Sequence, residues 1–230
     1  MLFKSSINVV VSFRLVTQTL STSEKPNKAI IGIHGWTGDE YVFEPVAKLL
    51  KIKDAQWHFP RAPYKADSQK GNSWFGGNDK DGWEFDKTFD GMNNLLSKIQ
   101  TSGYKNSNIF LIGFSQGACL AIDFALRLPF PIGGIIPIAG FIKFKTQLLN
   151  DATVESINTP ILLMHGNKDE IIPIKAGRTA SEILLERGHP IHFEKYDAPH
   201  KIPLNKMKMM GEFIDNPLKT IKMYNKNLIN

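Results

Sequence analysis

The sequence predicts an α/β fold: a mostly parallel central sheet with helices packed on both of its faces. Runs of nearly uninterrupted Ile, Leu, Val and Phe, such as Ile109-Phe110-Leu111-Ile112 and Ile161-Leu162-Leu163-Met164, alternate with longer amphipathic stretches. A strand that is apolar throughout is buried on both faces, as in a parallel sheet, and strands spaced by helical stretches of about 10 to 15 residues indicate βαβ units. The length, 230 residues, suits one domain with a single sizeable core.

In chain order, strands are predicted at 7–17, 29–34, 55–59, 108–113, 133–139, 160–165 and 191–196, and helices at 40–51, 86–102, 116–128, 174–187 and 204–215. The first strand rests on Val9, Val10, Val11, Phe13, Leu15 and Val16, mostly β-formers. This stretch is too short to span a bilayer, Lys4 and Arg14 interrupt it, and no small-residue cleavage site follows. Residues 1–27 are therefore read as an N-terminal strand or hairpin, and 216–230 as the C-terminal tail, of one domain spanning 1–230. Helix 116–128 stops at Pro129. Segments 60–85 and 140–159 are long and irregular, and each follows a strand, which carries it to the sheet edge where doubly wound folds bind ligands.

Hydrophobic content of 42% and charged content of 22% are ordinary for a soluble globular chain. The net charge of +6 raises nucleic acid as a partner, but the lysines are scattered, no RNA-binding motif occurs, and Arg stands only at positions 14, 61, 127, 178 and 187. A solvated Lys-rich surface is the reading, with no nucleic-acid partner. Lys219, Lys222 and Lys226 allow only weak contact with a membrane surface. Cys119 is the single cysteine, which rules out an intramolecular disulfide framework and fits a reducing, cytoplasmic setting. Its small apolar neighbours make it a buried helix residue.

Gly113-Phe114-Ser115-Gln116-Gly117 follows a strand and opens a helix. The G-x-S-x-G spacing makes a sharp turn that lifts a serine Oγ clear of the sheet, with glycines where side chains would clash. Chance supplies roughly 0.08 such pentapeptides in a chain of this composition, and the strand–turn–helix setting lowers that further. Ser115 is the predicted nucleophile.

A serine nucleophile of this kind takes its acid and then its base from later strand ends. Of six histidines, His34, His58 and His165 come too early, His189 precedes the last strand and His192 lies inside it. His200 follows it and is the predicted base. Asp169, just past strand 160–165, is the predicted acid, with Glu170 and Asp197 as rivals and a helix N-cap as its non-catalytic alternative. Gln116 and Trp36 are assigned the two backbone N–H donors of an oxyanion hole, Trp36 from the glycine-flanked loop His34-Gly35-Trp36-Thr37-Gly38-Asp39.

These pieces resemble the phospholipase/carboxylesterase family of small α/β-hydrolases, which includes acyl-protein thioesterases and lysophospholipases. The matching text is Ile33-His34-Gly35-Trp36-Thr37-Gly38-Asp39, Phe59-Pro60-Arg61-Ala62-Pro63, Ser73-Trp74-Phe75, the elbow, His165-Gly166-Asn167-Lys168-Asp169 with Ile172-Pro173, and His200, from about residue 28 to 215. Gly76 and Gly77 stand where the family usually has Asp after S-W-F, Trp36 replaces a frequent leucine, and Pro199 and Lys201 flank His200 instead of the usual Gly and Ser. The resemblance implies ester hydrolysis through an acyl-enzyme, with no cofactor and no metal.

Trp74, Phe75, Phe141 and Phe144 are the predicted substrate-binding residues, the last two walling an acyl-chain channel with Ile142, Leu148 and Leu149 outside any clear helix. Three functions stay open: an esterase for small-molecule or lipid esters, a thioesterase acting on an acylated protein, and a non-catalytic ligand-binding module on a hydrolase fold. Separately, oligomeric state has no signature in the sequence.

Overall fold

The computed structural model describes residues 13–67 and 70–226. A seven-stranded sheet is built from β1 (Thr17–Ser21), β2 (Lys28–Ile33), β3 (Ala55–Pro60), β8 (Ile109–Phe114), β9 (Gly134–Ile138), β10 (Ile161–Gly166) and β11 (Ile191–Tyr196). Their order is β1-β3-β2-β8-β9-β10-β11, parallel throughout except that β1 pairs antiparallel with β3. This is the α/β-hydrolase architecture the motifs imply. Two short hairpins, β4 (Tyr64–Lys65) with β5 (Asn72–Ser73) and β6 (Gly76–Asn78) with β7 (Gly82–Glu84), stand outside the sheet.

Alternate residues of each strand feed opposite cores. On one face, Ile31, Ile33, Leu111 and Leu163 pack against α2 (Asp86–Thr101), α3 (Gln116–Leu126) and α5 (Ile174–Glu186). On the other, Ile30, Trp57, Ile112 and Met164 meet α1 (Glu44–Leu50), α6 (Met207–Asp215) and α7 (Pro217–Lys226). Both faces are covered, so the central strands carry apolar side chains on both sides, as in Ile109–Ile112 of β8 and Ile161–Met164 of β10.

The first strand differs from its prediction. It runs Thr17–Ser21, whereas the residues before 13 lie outside the described part of the chain. Among the described residues β1 is an edge strand hydrogen-bonded only to β3, and its sequence TQTLS is half solvent-facing, so it lacks the apolar run that marks the others. The segment 216–230, read as a tail, begins with α7, which packs Ile221 into the second core. Segment 140–159 holds α4 (Lys145–Asp151), so Leu148 and Leu149 are helical and Leu148 is buried. No described helix is long and apolar enough to cross a membrane.

Candidate active site

The turn between β8 and α3 places Ser115 at φ 54°, ψ −117°, a left-handed backbone that costs a non-glycine residue about 1–3 kcal/mol. Its neighbours show why the turn is built from glycine. A Cβ on Gly113 would stand 2.2 Å from the Gly117 carbonyl oxygen, and one on Gly117 would stand 2.3 Å from that of Ile33. The Ser115 N–H donates to the Ile138 carbonyl at 2.8 Å, so the neighbouring strand β9 fixes the strained residue.

Three side chains meet there from three strand ends. His200 Nε2 lies 3.0 Å from Ser115 Oγ, and His200 Nδ1 lies 2.7 Å from Asp169 Oδ2. The other carboxylate oxygen, Oδ1, accepts the N–H groups of Ile171 at 3.0 Å and Ile172 at 2.8 Å. Asp169 is thus no helix N-cap: the cap position of α5 is Pro173, and both carboxylate oxygens are engaged elsewhere. Of the rivals, Asp197 pairs with Lys168 at the surface and Glu170 is exposed.

Buried groups to which the sequence assigns no role hold this triplet. His165 Nε2 donates to the Ile172 carbonyl at 2.8 Å and lies 3.5 Å from Asp169 Oδ2, closing the loop that carries Asp169. Tyr196 OH donates to the Lys201 carbonyl at 2.8 Å and anchors the His200 loop, while the Phe114 ring lies 4.8 Å from the imidazole. Burial, and then the Asp169 charge, push the Tyr196 phenol up, so it remains a donor. These partners come together through loops distant in sequence, and only the H-G-x-x-D pattern hints at His165.

The loop after β2 passes directly beside the nucleophile: a Cβ on Gly35 would stand 3.5 Å from that of Ser115. This loop is strapped down by Thr37 N–H donating to the Asn72 carbonyl at 2.9 Å, and by Asn72 N and Nδ2 both donating to the Gly38 carbonyl at 3.1 Å. His34 is its buried pivot. Its Nδ1–H donates to the Gly35 carbonyl at 2.7 Å and its Nε2 accepts Ala62 N–H at 3.1 Å; burial pushes its pKa down, which suits the neutral ring these bonds need. Among the described residues, the Trp36 N–H donates to no backbone carbonyl, and the Trp36 side chain is 51% exposed. Gln116 opens α3, where the helix leaves its first N–H groups unpaired.

The four aromatic residues divide. Trp74 is fully buried, with its indole N–H on the His34 carbonyl at 2.8 Å and its backbone N–H on Gln116 Oε1 at 2.8 Å. It therefore supports the site from beneath and presents no face to a ligand, contrary to the sequence expectation. Phe75 is likewise buried, edge-on to Phe144 at 5.3 Å; Phe144 also meets Phe85 and Trp83, the ring over which Lys143 Nζ sits at 3.6 Å. Phe141 and Ile142, by contrast, line a cleft of about 410 Å3 against Pro173, Ala176 and Ile183. The Cys119 thiol, one helical turn past Ser115, is buried and pushed up to about 12 by that burial.

Residues 16–218 match the model of the phospholipase/carboxylesterase family. A probable carboxylesterase from Arabidopsis thaliana, SOBER1-like, is 29% identical over 182 residues, 73% of this chain and 70% of that protein. Acyl-protein thioesterase 1 of Saccharomyces cerevisiae is 31% identical over 179 residues, 67% of this chain and 76% of that protein. The crystal structure of Arabidopsis thaliana SOBER1 superposes with a TM-score of 0.74 at 24% identity, covering 83% of this chain and 99% of that one, a likeness of fold. The chain belongs to the phospholipase/carboxylesterase family of α/β-hydrolases.

Proposed function

We propose that the chain is a serine hydrolase that cleaves carboxylic esters through an acyl-enzyme intermediate. The observation that carries this reading is the unbroken line of hydrogen bonds from Asp169 Oδ2 through His200 to Ser115 Oγ. With Asp169 accepting the proton on Nδ1, Nε2 has a free lone pair facing the hydroxyl. Ser115 Oγ attacks the ester carbonyl as His200 Nε2 takes its proton, and the carbonyl oxygen becomes an oxyanion. The N–H groups of Gln116 and Trp36 receive it, aided by the positive end of α3, and one such donor is worth about 100- to 1,000-fold in rate. His200 then hands the proton to the departing alkoxide. In the second half, water loses a proton to His200 and attacks the acyl-Ser115 carbonyl, and the proton returns to Oγ as the acid leaves.

The acyl group lies against Phe141 and Ile142, whose cleft suits a small-molecule or lipid acyl chain. A thioester of an acylated protein is the second reading, favoured by the likeness to the yeast thioesterase and by a half-exposed Trp36 at the site's rim. The single buried cysteine accords with a cytoplasmic setting.

The test is turnover of p-nitrophenyl esters of increasing acyl length beside an acyl thioester, with Ser115→Ala as control. Turnover abolished by the substitution supports the reading, and the preferred substrate chooses between ester and thioester. Turnover that survives Ser115→Ala, or none on any substrate, refutes it.

A further inference from the structure

A cleft of about 590 Å3 opens at the β1 edge of the sheet, between that strand and α2. Arg14 and Thr19 line it from the chain edge, His58 from β3, and Ser97, Lys98 and Thr101 from α2. It is separate from Ser115: His58 lies mid-strand in β3, paired with Thr19 and Ile31, and β2 stands between β3 and the strand that carries the nucleophile turn.

Three independent features define what the cleft would hold. Among the described residues no Asp or Glu lines it, and neither Arg14 nor Lys98 has an ion-pair partner. His58 lines the cleft with an imidazole that makes no hydrogen bond among the described residues, and an unmade bond of that kind favours a ligand able to complete it. Leu15 and Leu95 add apolar wall, and the volume is that of a small-molecule site, well beyond a bare ion. The donors together, a guanidinium, an ammonium, an imidazole N–H and the hydroxyls of Thr19 and Ser97, outnumber what the two oxygens of a carboxylate can use; the Thr17 and Thr101 hydroxyls already donate to the Leu15 and Lys98 carbonyls.

We propose that this cleft binds a small phosphate monoester, with the phosphoryl oxygens held by Arg14, Lys98 and the His58 imidazole and the organic group resting on Leu15 and Leu95. The ring is neutral near neutral pH, since burial and then the Lys98 charge push the His58 pKa down to about 4. The site is a second one, and it does not depend on the ester chemistry at Ser115.

The experiment follows the His58 ring resonances by NMR while phenyl phosphate is added, with phenol and inorganic phosphate as parallel probes. Phenyl phosphate is expected to displace them saturably, and phenol to have no effect. Arg14→Ala and Lys98→Ala, both at exposed positions, are expected to weaken binding about fivefold each while leaving ester turnover unchanged. Inorganic phosphate that binds as tightly as phenyl phosphate would identify the ligand as free phosphate and overturn the monoester assignment. No saturable displacement at millimolar phenyl phosphate, or equal binding in the doubly substituted protein, would overturn the site itself.

Discussion

Replacing Asp169 by Asn should abolish nearly all activity without unfolding the protein, for a reason that can be read from hydrogen-bond directions. Asp169 Oδ1 accepts two backbone N–H groups, from Ile171 and Ile172, and Oδ2 accepts one imidazole N–H. An asparagine has only one acceptor oxygen. Keeping it on the two backbone donors leaves its NH2 against His200 Nδ1, whereas the flipped amide would set NH2 against two N–H groups. The first arrangement has fewer donor–donor clashes and wins. The amide then donates to Nδ1, the ring carries its proton on Nε2, and the lone pair facing Ser115 at 3.0 Å is gone. A wrong tautomer of this kind costs about 10,000-fold in kcat, or about 5.5 kcal/mol of barrier. KM should hardly change, because the Asp169 side chain is fully buried and touches no substrate. The assay is kcat and KM for a p-nitrophenyl ester near neutral pH, with circular dichroism to confirm folding. A folded Asp169→Asn protein within tenfold of wild-type kcat would refute the tautomer argument.

Gly117→Ala should lower both melting temperature and turnover, since the new Cβ would lie 2.3 Å from the Ile33 carbonyl oxygen and 2.5 Å from that of His34; about 3 kcal/mol in chemical denaturation is expected, and an unchanged midpoint would contradict the packing. His165→Ala removes the donor to the Ile172 carbonyl and frees the Asp169 loop, so kcat should fall about tenfold with KM unchanged, as measured by steady-state kinetics. His58 is held neutral, its pKa near 4 against the ordinary 6.5, so protonation favours the unfolded chain. Its contribution is complete above about pH 6.5 and is lost as pH falls towards 4, by up to about 3 kcal/mol; denaturation across that range should show a shallower loss in His58→Gln.

The parallel strands were legible because burial on both faces leaves no polar position, as in Ile109–Ile112 and Ile161–Met164. Where burial is one-sided or slight, that signal fades. β1 reads TQTLS, the hairpins of 64–84 have ladders of two or three residues, and α4 buries only Leu148 in seven. α7, PLKTIKMYNK, buries Thr220 and Ile221 alone and resembles a polar tail in sequence. At the site, Ser115, Asp169 and His200 stood out because turn chemistry and chain order constrain them, and the structure brings them within hydrogen-bond distance. Trp74 could not be distinguished from a ligand-facing aromatic, since its burial depends on Gln116 and His34, which are distant in sequence. The supports from His165 and Tyr196 are tertiary contacts of the same kind.

Covalent labelling shows whether Ser115 is an activated nucleophile. The protein is treated with a fluorophosphonate, weighed intact and mapped by peptide mass spectrometry. A single adduct is expected, on Ser115, that is absent in Ser115→Ala and forms far more slowly in His200→Ala. An adduct on another residue, or no adduct in the folded protein, would contradict it.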